Sequence, residues 1–179
     1  MTLEKKDYFI GVSLPKKESI FISNLRKSLE NKNELASPPH ITLVPPFRID
    51  NDFDLKNFLL KENPHIETFK MTFDTITFFK HPKYVTLVLL SKDNKKISYL
   101  HDFLVSLLNK RFTVFSVKNK KYIPHLTLAN KVLYEDADRK LNFLKNLNLK
   151  IKLKISYYTV YSKSNSAFWI TDFQVPFVL

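Results

Sequence analysis

At 179 residues the chain is long enough for one good hydrophobic core and too short for two ordinary domains. With 44% hydrophobic and 14% aromatic residues it is not a disordered segment, and no apolar run approaches the roughly 20 residues that span a bilayer, so a soluble, cytoplasmic protein with no membrane partner is expected. The absence of cysteine removes disulfides, thiolate nucleophiles and iron-sulfur ligation, and a single glycine, Gly11, removes glycine-rich phosphate loops and dinucleotide fingerprints. Any phosphate chemistry must therefore use side chains. The net charge of +12 favours a polyanionic partner, although lysine carries almost all of it and forked phosphate recognition draws more on arginine.

In chain order, Asp7 to Leu14 reads as a strand, and Pro15 starts a helix in which Phe21, Leu25 and Leu29 recur at spacing four. That helix dissolves in NKNELASPP. His40 to Leu43, extending at most to Val44, is a strand that Pro45 and Pro46 should stop, since proline cannot donate to a ladder. A short helix is expected over Phe53 to Lys61. Phe69 to Phe79 and Tyr84 to Leu90 form a hairpin around Lys80, His81, Pro82 and Lys83. Ile97, Leu100, Leu104, Leu107 and Leu108 mark an amphipathic helix that also carries His101. Ile123 to Ala129 is a strand, Glu135 to Leu147 a helix, and Ile151 to Tyr161 and Phe168 to Phe177 two closing strands. The succession strand, helix, His-x-Thr strand occurs twice, from Asp7 to Leu43 and from Tyr84 to Leu128. This predicts one duplicated domain over 1–179 whose halves share a core, face each other across a cleft and act as a monomer.

The chemistry concentrates in two strings, PHITL (Pro39 to Leu43) and PHLTL (Pro124 to Leu128). Side chains alternate along a strand, so His40 and Thr42 share one face, as do His125 and Thr127, while Ile41, Leu43, Leu126 and Leu128 take the other. Two such matches among five histidines have chance odds of order 1 in 150 at this composition. Imidazole titrates near neutral pH, so two histidines converging on one phosphorus would serve as base and acid, with the threonine hydroxyls donating to the non-bridging oxygens. A 2',3'-cyclic phosphate or a phosphodiester beside a ribose hydroxyl suits that pair. No cofactor is called for, and no metal either, since no carboxylate stands near either string; Asp50 lies well beyond the first.

With FIGVSLP, PPHITLVPPF, YIPHLTLANK, VYSKS and AFWITDFQVPF, the chain resembles the two-histidine (2H) phosphoesterase superfamily over nearly its whole length, in particular the bacterial 2'-5' RNA ligase-like branch. The resemblance implies an α+β fold of two lobes, each an antiparallel sheet with helices outside, and a central cleft holding both motifs. It also implies hydrolysis of 2',3'-cyclic phosphates or cleavage and joining of 2'-5' linkages in RNA or nucleotides. The catalytic pair of the family falls on His40 and His125, and its phosphate-binding hydroxyls fall on Thr42 and Thr127. The chain departs from many members at Val44 to Phe47 and at Asn130 and Lys131, which bear on the substrate rim rather than on the acid-base core.

Phe9 and Tyr122 are candidate base-stacking rings, and Arg48 and Lys131 the nearest cations to the motifs. Lys150, Lys152 and Lys154 alternate with Ile151, Leu153 and Ile155, which reads as a solvated or edge-protecting face, with an RNA track as the alternative. A module that binds RNA or a nucleotide without turnover, and an end-joining 2'-5' ligase, are the competing functions.

Overall fold

A computed structural model describes residues 6–29, 36–49, 53–112, 114, 121–163 and 168–177. Residues 31–35 of the expected loop, and Ser164 and Ala167 of the two closing family segments, lie outside the described residues. The elements in order are β1 (Lys6–Ser13), α1 (Lys16–Ser28), β2 (His40–Ile49), α2 (Leu55–Lys61), β3 (Phe69–Lys80), β4 (Val85–Ser91), α3 (Lys95–Asn109), β5 (His125–Val132), α4 (Tyr134–Asn146), β6 (Ile151–Ile155), β7 (Tyr157–Lys163) and β8 (Ile170–Pro176).

The fold is α+β. Its strands pair antiparallel in the order β6-β3-β4-β5-β2-β1-β7-β8, two four-stranded halves hydrogen-bonded into one sheet. At the junction, the register between β2 and β5 is the pair Ile41 and Leu126. The two motif strands match beyond their sequence. The first eight residues of β2 and the eight of β5 carry the same succession of buried and part-exposed side chains. Each also bulges at the same place, because Phe9 of β1 faces both Pro45 and Pro46, and Thr86 of β4 faces both Asn130 and Lys131.

That bulge corrects the expected end of β2. The strand runs through both prolines to Ile49, since Tyr8 pairs with Phe47 and Ile10 with Val44, leaving the two residues without an N–H where the ladder asks for no donor. The expected strand from Ile151 to Tyr161 is likewise broken at Ser156, with β6 pairing to β3 and β7 to β1. Six strand spacings separate β6 from β7 in the sheet order, roughly 29 Å if the sheet were flat. Two Cα steps, from Ile155 to Tyr157, span at most about 7.6 Å. The sheet therefore curls until its halves meet, and there Asn63 Nδ2 donates to the Pro176 carbonyl (2.6 Å) and the Phe69 and Phe177 rings stack at 6.0 Å.

Helices and sheet share one core that includes Ile22, Leu25, Ile41, Leu43, Leu59, Leu100, Leu104, Leu126, Leu128 and Leu144. On α1 the buried row is Ile22, Leu25, Arg26 and, just past the helix end, Leu29, whereas Phe21 is 45% exposed. Spacings of three, four and seven follow the 3.6-residue period, while an unbroken spacing of four drifts off the face. No helix among the described residues is long and apolar enough to cross a membrane.

Candidate active site

The pairing of Ile41 with Leu126 decides what the sheet presents at its centre. Both side chains point into the core, at 0% and 1% exposure. One position to either side in the antiparallel register, His40 therefore stands opposite Thr127 and Thr42 opposite His125, all on the face turned from the core. The imidazoles occupy one diagonal of this quartet and the hydroxyls the other; diagonal positions on neighbouring strands are typically roughly 7–8 Å apart.

Each ring is fixed in the same way. His40 Nδ1–H donates to the Pro38 carbonyl (2.7 Å) and His125 Nδ1–H to the Ile123 carbonyl (2.8 Å), in both cases two residues back across a proline. A carbonyl can only accept, so Nδ1 carries the proton and Nε2 is left as the basic nitrogen in both neutral rings. Pro39 and Pro124 explain the geometry: each fixes its own φ and holds the residue before it extended.

Burial depresses the basicity of both rings. His40 is pulled from 6.5 down to about 4, by burial first and then by the charges of Arg26 and His125, against the supporting bond to Pro38. His125 is lowered by burial against its bond to Ile123. The His40 ring packs on Phe9 (4.6 Å between centroids) and Tyr161 (5.6 Å), and Phe9 in turn packs on Tyr161 and Trp169. The ring of His125 meets Phe79 edge-on at 4.9 Å.

Three residues that sequence reasoning did not place in the site brace its strands. Arg26, 4% exposed, donates from Nε and Nη2 to the Thr127 carbonyl (3.0 and 2.8 Å), reaching from α1 in the first half to the motif strand of the second. His101 of α3 makes the reverse crossing to the Leu43 carbonyl. Its ring stacks on Tyr122 at 3.9 Å, whose hydroxyl donates to the Thr42 carbonyl (2.8 Å). Gly11, paired with Thr42, is the third: a Cβ there would meet the Ile41 carbonyl oxygen at 2.8 Å and His40 Cδ2 at 3.4 Å. Its rarity in the sequence was the available signal, and its reason is this close approach.

A cavity of about 430 Å³ opens beside His125 and Thr42, with Phe79, Lys80, His81, Lys121 and Tyr122 in its wall. Of the four further candidates, Tyr122 lines this cavity. Phe9 is 4% exposed and forms the ring wall behind His40, so it offers little open face for stacking. The structure does not bring Arg48 to the quartet; it lies six residues past Thr42 along β2, roughly 20 Å away, with its Nε on Asp7 Oδ1 at 2.8 Å. Lys131 occupies the β5 bulge at φ 52°, its N–H donating to Asn130 Oδ1. Among the described residues no group of three or more His, Cys, Asp or Glu is placed to hold a metal ion.

A curled antiparallel α+β sheet with two His-x-Thr strands side by side at its seam defines a two-histidine phosphoesterase. Residues 14–166 match the model of the 2'-5' RNA ligase superfamily, and the chain belongs to that superfamily. In structure it is similar to E. coli LigT complexed with 3'-AMP (TM-score 0.68, 16% identity, 98% of this chain and 100% of that one). It is also similar to a crystal structure described as a phosphoesterase (TM-score 0.66, 15% identity, 98% and 100%) and to E. coli LigT in apo form (TM-score 0.63, 16% identity, 97% and 98%). At these identities the likeness shows the fold. No curated protein matches the chain in sequence.

Two outcomes follow from this geometry. Gly11→Ala forces β1 off the Ile41 carbonyl, so denaturant unfolding should show a loss of about 1–3 kcal/mol, and the NMR shifts of the His40 ring should move more than those of His125. His40 is neutral in the folded chain down to about pH 4 but takes up its proton near 6.5 when unfolded. Stability is therefore fully present above 6.5 and falls as the pH drops from 6.5 toward 4, by about 3 kcal/mol. His40→Gln should flatten that decline; an unchanged slope would show that His40 is not the group responsible.

Proposed function

We propose that the protein is a metal-independent phosphoesterase that opens 2',3'-cyclic phosphates or cleaves 2'-5' phosphodiester bonds of RNA or nucleotides. His40 and His125 form the acid-base pair, and Thr42 and Thr127 donate to the non-bridging oxygens. The observation that carries this reading is the register of Ile41 with Leu126, which sets two imidazoles on one diagonal and two hydroxyls on the other. With both Nδ1 atoms tied to carbonyls, each ring offers Nε2 to the reacting phosphate. One Nε2 takes the proton of the attacking water as its oxygen bonds to phosphorus, and the other, protonated, gives its proton to the departing ribose oxygen as that bond breaks. The threonine hydroxyls stabilise the charge gathering on the phosphoryl oxygens between them. The cavity beside His125, with Phe79 and Tyr122 as rings and Lys80 and Lys121 as cations, suits a nucleoside attached to that phosphate. The 3'-AMP held by E. coli LigT, a protein of the same fold, supports a nucleotide in this cleft.

The matched burial patterns and bulges of β2 and β5 support a chain built from two copies of one strand-helix-strand unit, sharing a single domain. The name of the superfamily favours a second reading of the same groups: joining a 2'-5' linkage puts a 5'-hydroxyl in the place of the attacking water, its proton passing to one Nε2 while the other protonates the departing ribose oxygen. Chromatography of products from a cyclic-phosphate RNA offered a free 5'-hydroxyl end separates joining from hydrolysis.

Turnover of a 2',3'-cyclic nucleotide should survive EDTA, and His40→Ala or His125→Ala should each cost about 100-fold to 10,000-fold in kcat. Turnover needs one imidazole neutral and one protonated. In the free enzyme both titrate below 6.5, so kcat/KM should peak on the acid side of 6.5, falling below about pH 4 as both become charged and above the lowered value of His125 as both become neutral. The bound phosphate anion favours imidazolium, so the kcat profile should lie at higher pH. Dependence on added metal would overturn the mechanism.

A further inference from the structure

Lysines that this chemistry does not use gather at one place. Past the end of β4 and the start of β6 lies a cavity of about 410 Å³ lined by Lys92, Lys145 and Lys150, with Asp74, Thr75 and Asn148. The three ammoniums come from three separate segments: the turn after β4, the last turn of α4 and the residue before β6. They face one carboxylate, Asp74, whose Oδ1 already accepts from Thr75 Oγ1 (3.2 Å), so the cavity keeps two positive charges in excess. None of the three is in an ion pair among the described residues. The cavity is tied to the quartet by register: His125 pairs with Leu90, and Leu90 with Thr75 in the cavity wall. Thr75 in its wall thus stands two strand spacings, about 10 Å, from His125, along a line that crosses the sheet. Beyond it on β6 the charge continues, with Lys152 opposite Thr72 and Lys154 directly opposite Lys70, a like-charge pair that repels unless an anion lies over it.

We infer that this lysine cavity holds a second phosphate of an RNA strand whose reacting phosphate lies between His40 and His125, so that the substrate is an oligonucleotide and not a mononucleotide. The inference rests on the proposed phosphoesterase reading for the reacting phosphate. A phosphate on the quartet cannot also reach a cavity about 10 Å away. Lysine, a point charge without fork geometry, suits a backbone phosphate bound irrespective of base, and charge neutralisation there adds affinity by counterion release.

The test compares a 2',3'-cyclic mononucleotide with an RNA pentamer ending in the same cyclic phosphate. The wild-type chain should show at least ten-fold higher kcat/KM for the pentamer. The Lys92→Gln, Lys145→Gln, Lys150→Gln triple variant should lose most of that advantage through KM and turn over the mononucleotide unchanged. Its pentamer binding should become less salt-dependent, the log-log slope falling by about 0.7 for each phosphate no longer neutralised. The single variant Lys150→Glu should shift KM in the same direction. Equal efficiency of the wild-type chain on both substrates, equal loss on both in the variant, or unchanged pentamer affinity in the variant would overturn the inference. If neither substrate is turned over while the triple variant binds the pentamer more weakly, the phosphoesterase reading falls and the cavity stands.

Discussion

The ladder joining the two halves is one residue pair long, Ile41 with Leu126. Beyond it β2 and β5 share no further ladder pair, and the carbonyls of Thr42, Leu43 and Thr127 take their donors from side chains. A buried carbonyl left without one costs about 1–3 kcal/mol. Arg26, His101 and Tyr122 supply those donors, each reaching from its own half to the strand of the other. A longer ladder would have satisfied these groups without helices but drawn the strands flat against each other. The short one leaves room above the seam, and the side-chain braces keep the quartet in register.

Registration alone would not make the imidazoles equivalent in tautomer. That depends on the proline before each histidine, which restricts the backbone so that the carbonyl two residues back meets Nδ1. The same local device occurs in both halves. Arg26 adds a charge that the strand pattern cannot: a buried guanidinium close enough to depress His40 also favours an anion over the quartet.

The quartet was legible in the sequence because strand parity and a repeated string are local properties. Both His-x-Thr pairs fall on the predicted face, and the α+β architecture follows from the alternation of periods. What was not legible depends on partners distant in the chain. Pro45 and Pro46 read locally as a stop, yet Phe9 absorbs both of them in a bulge. Ile151 to Tyr161 reads as one strand because alternation persists through Ser156, while the curl that hands the chain from β3 to β1 leaves no local mark. Arg26 hides in a buried helical row because a charged residue is read as solvated. Arg48 was nominated by nearness in sequence, but it stands six strand positions past Thr42 and pairs with Asp7.

The two motif strands match and their surroundings do not, and that difference bears on how two matching histidines could work as an acid-base pair. Two imidazoles in identical environments would share one proton equally, and neither would be favoured as the acid. Here His40 sits among Phe9 and Tyr161 with the charge of Arg26 close by, while His125 borders an open cavity with Lys80, His81 and Lys121 in its wall. Acid and base assignments arise where environments push two pKa values apart. The asymmetry also gives the cleft a direction. Rings close off the side of the first half, and cavity and cations open the side of the second, so a polyanion entering the cleft meets attraction mainly on the side of His125.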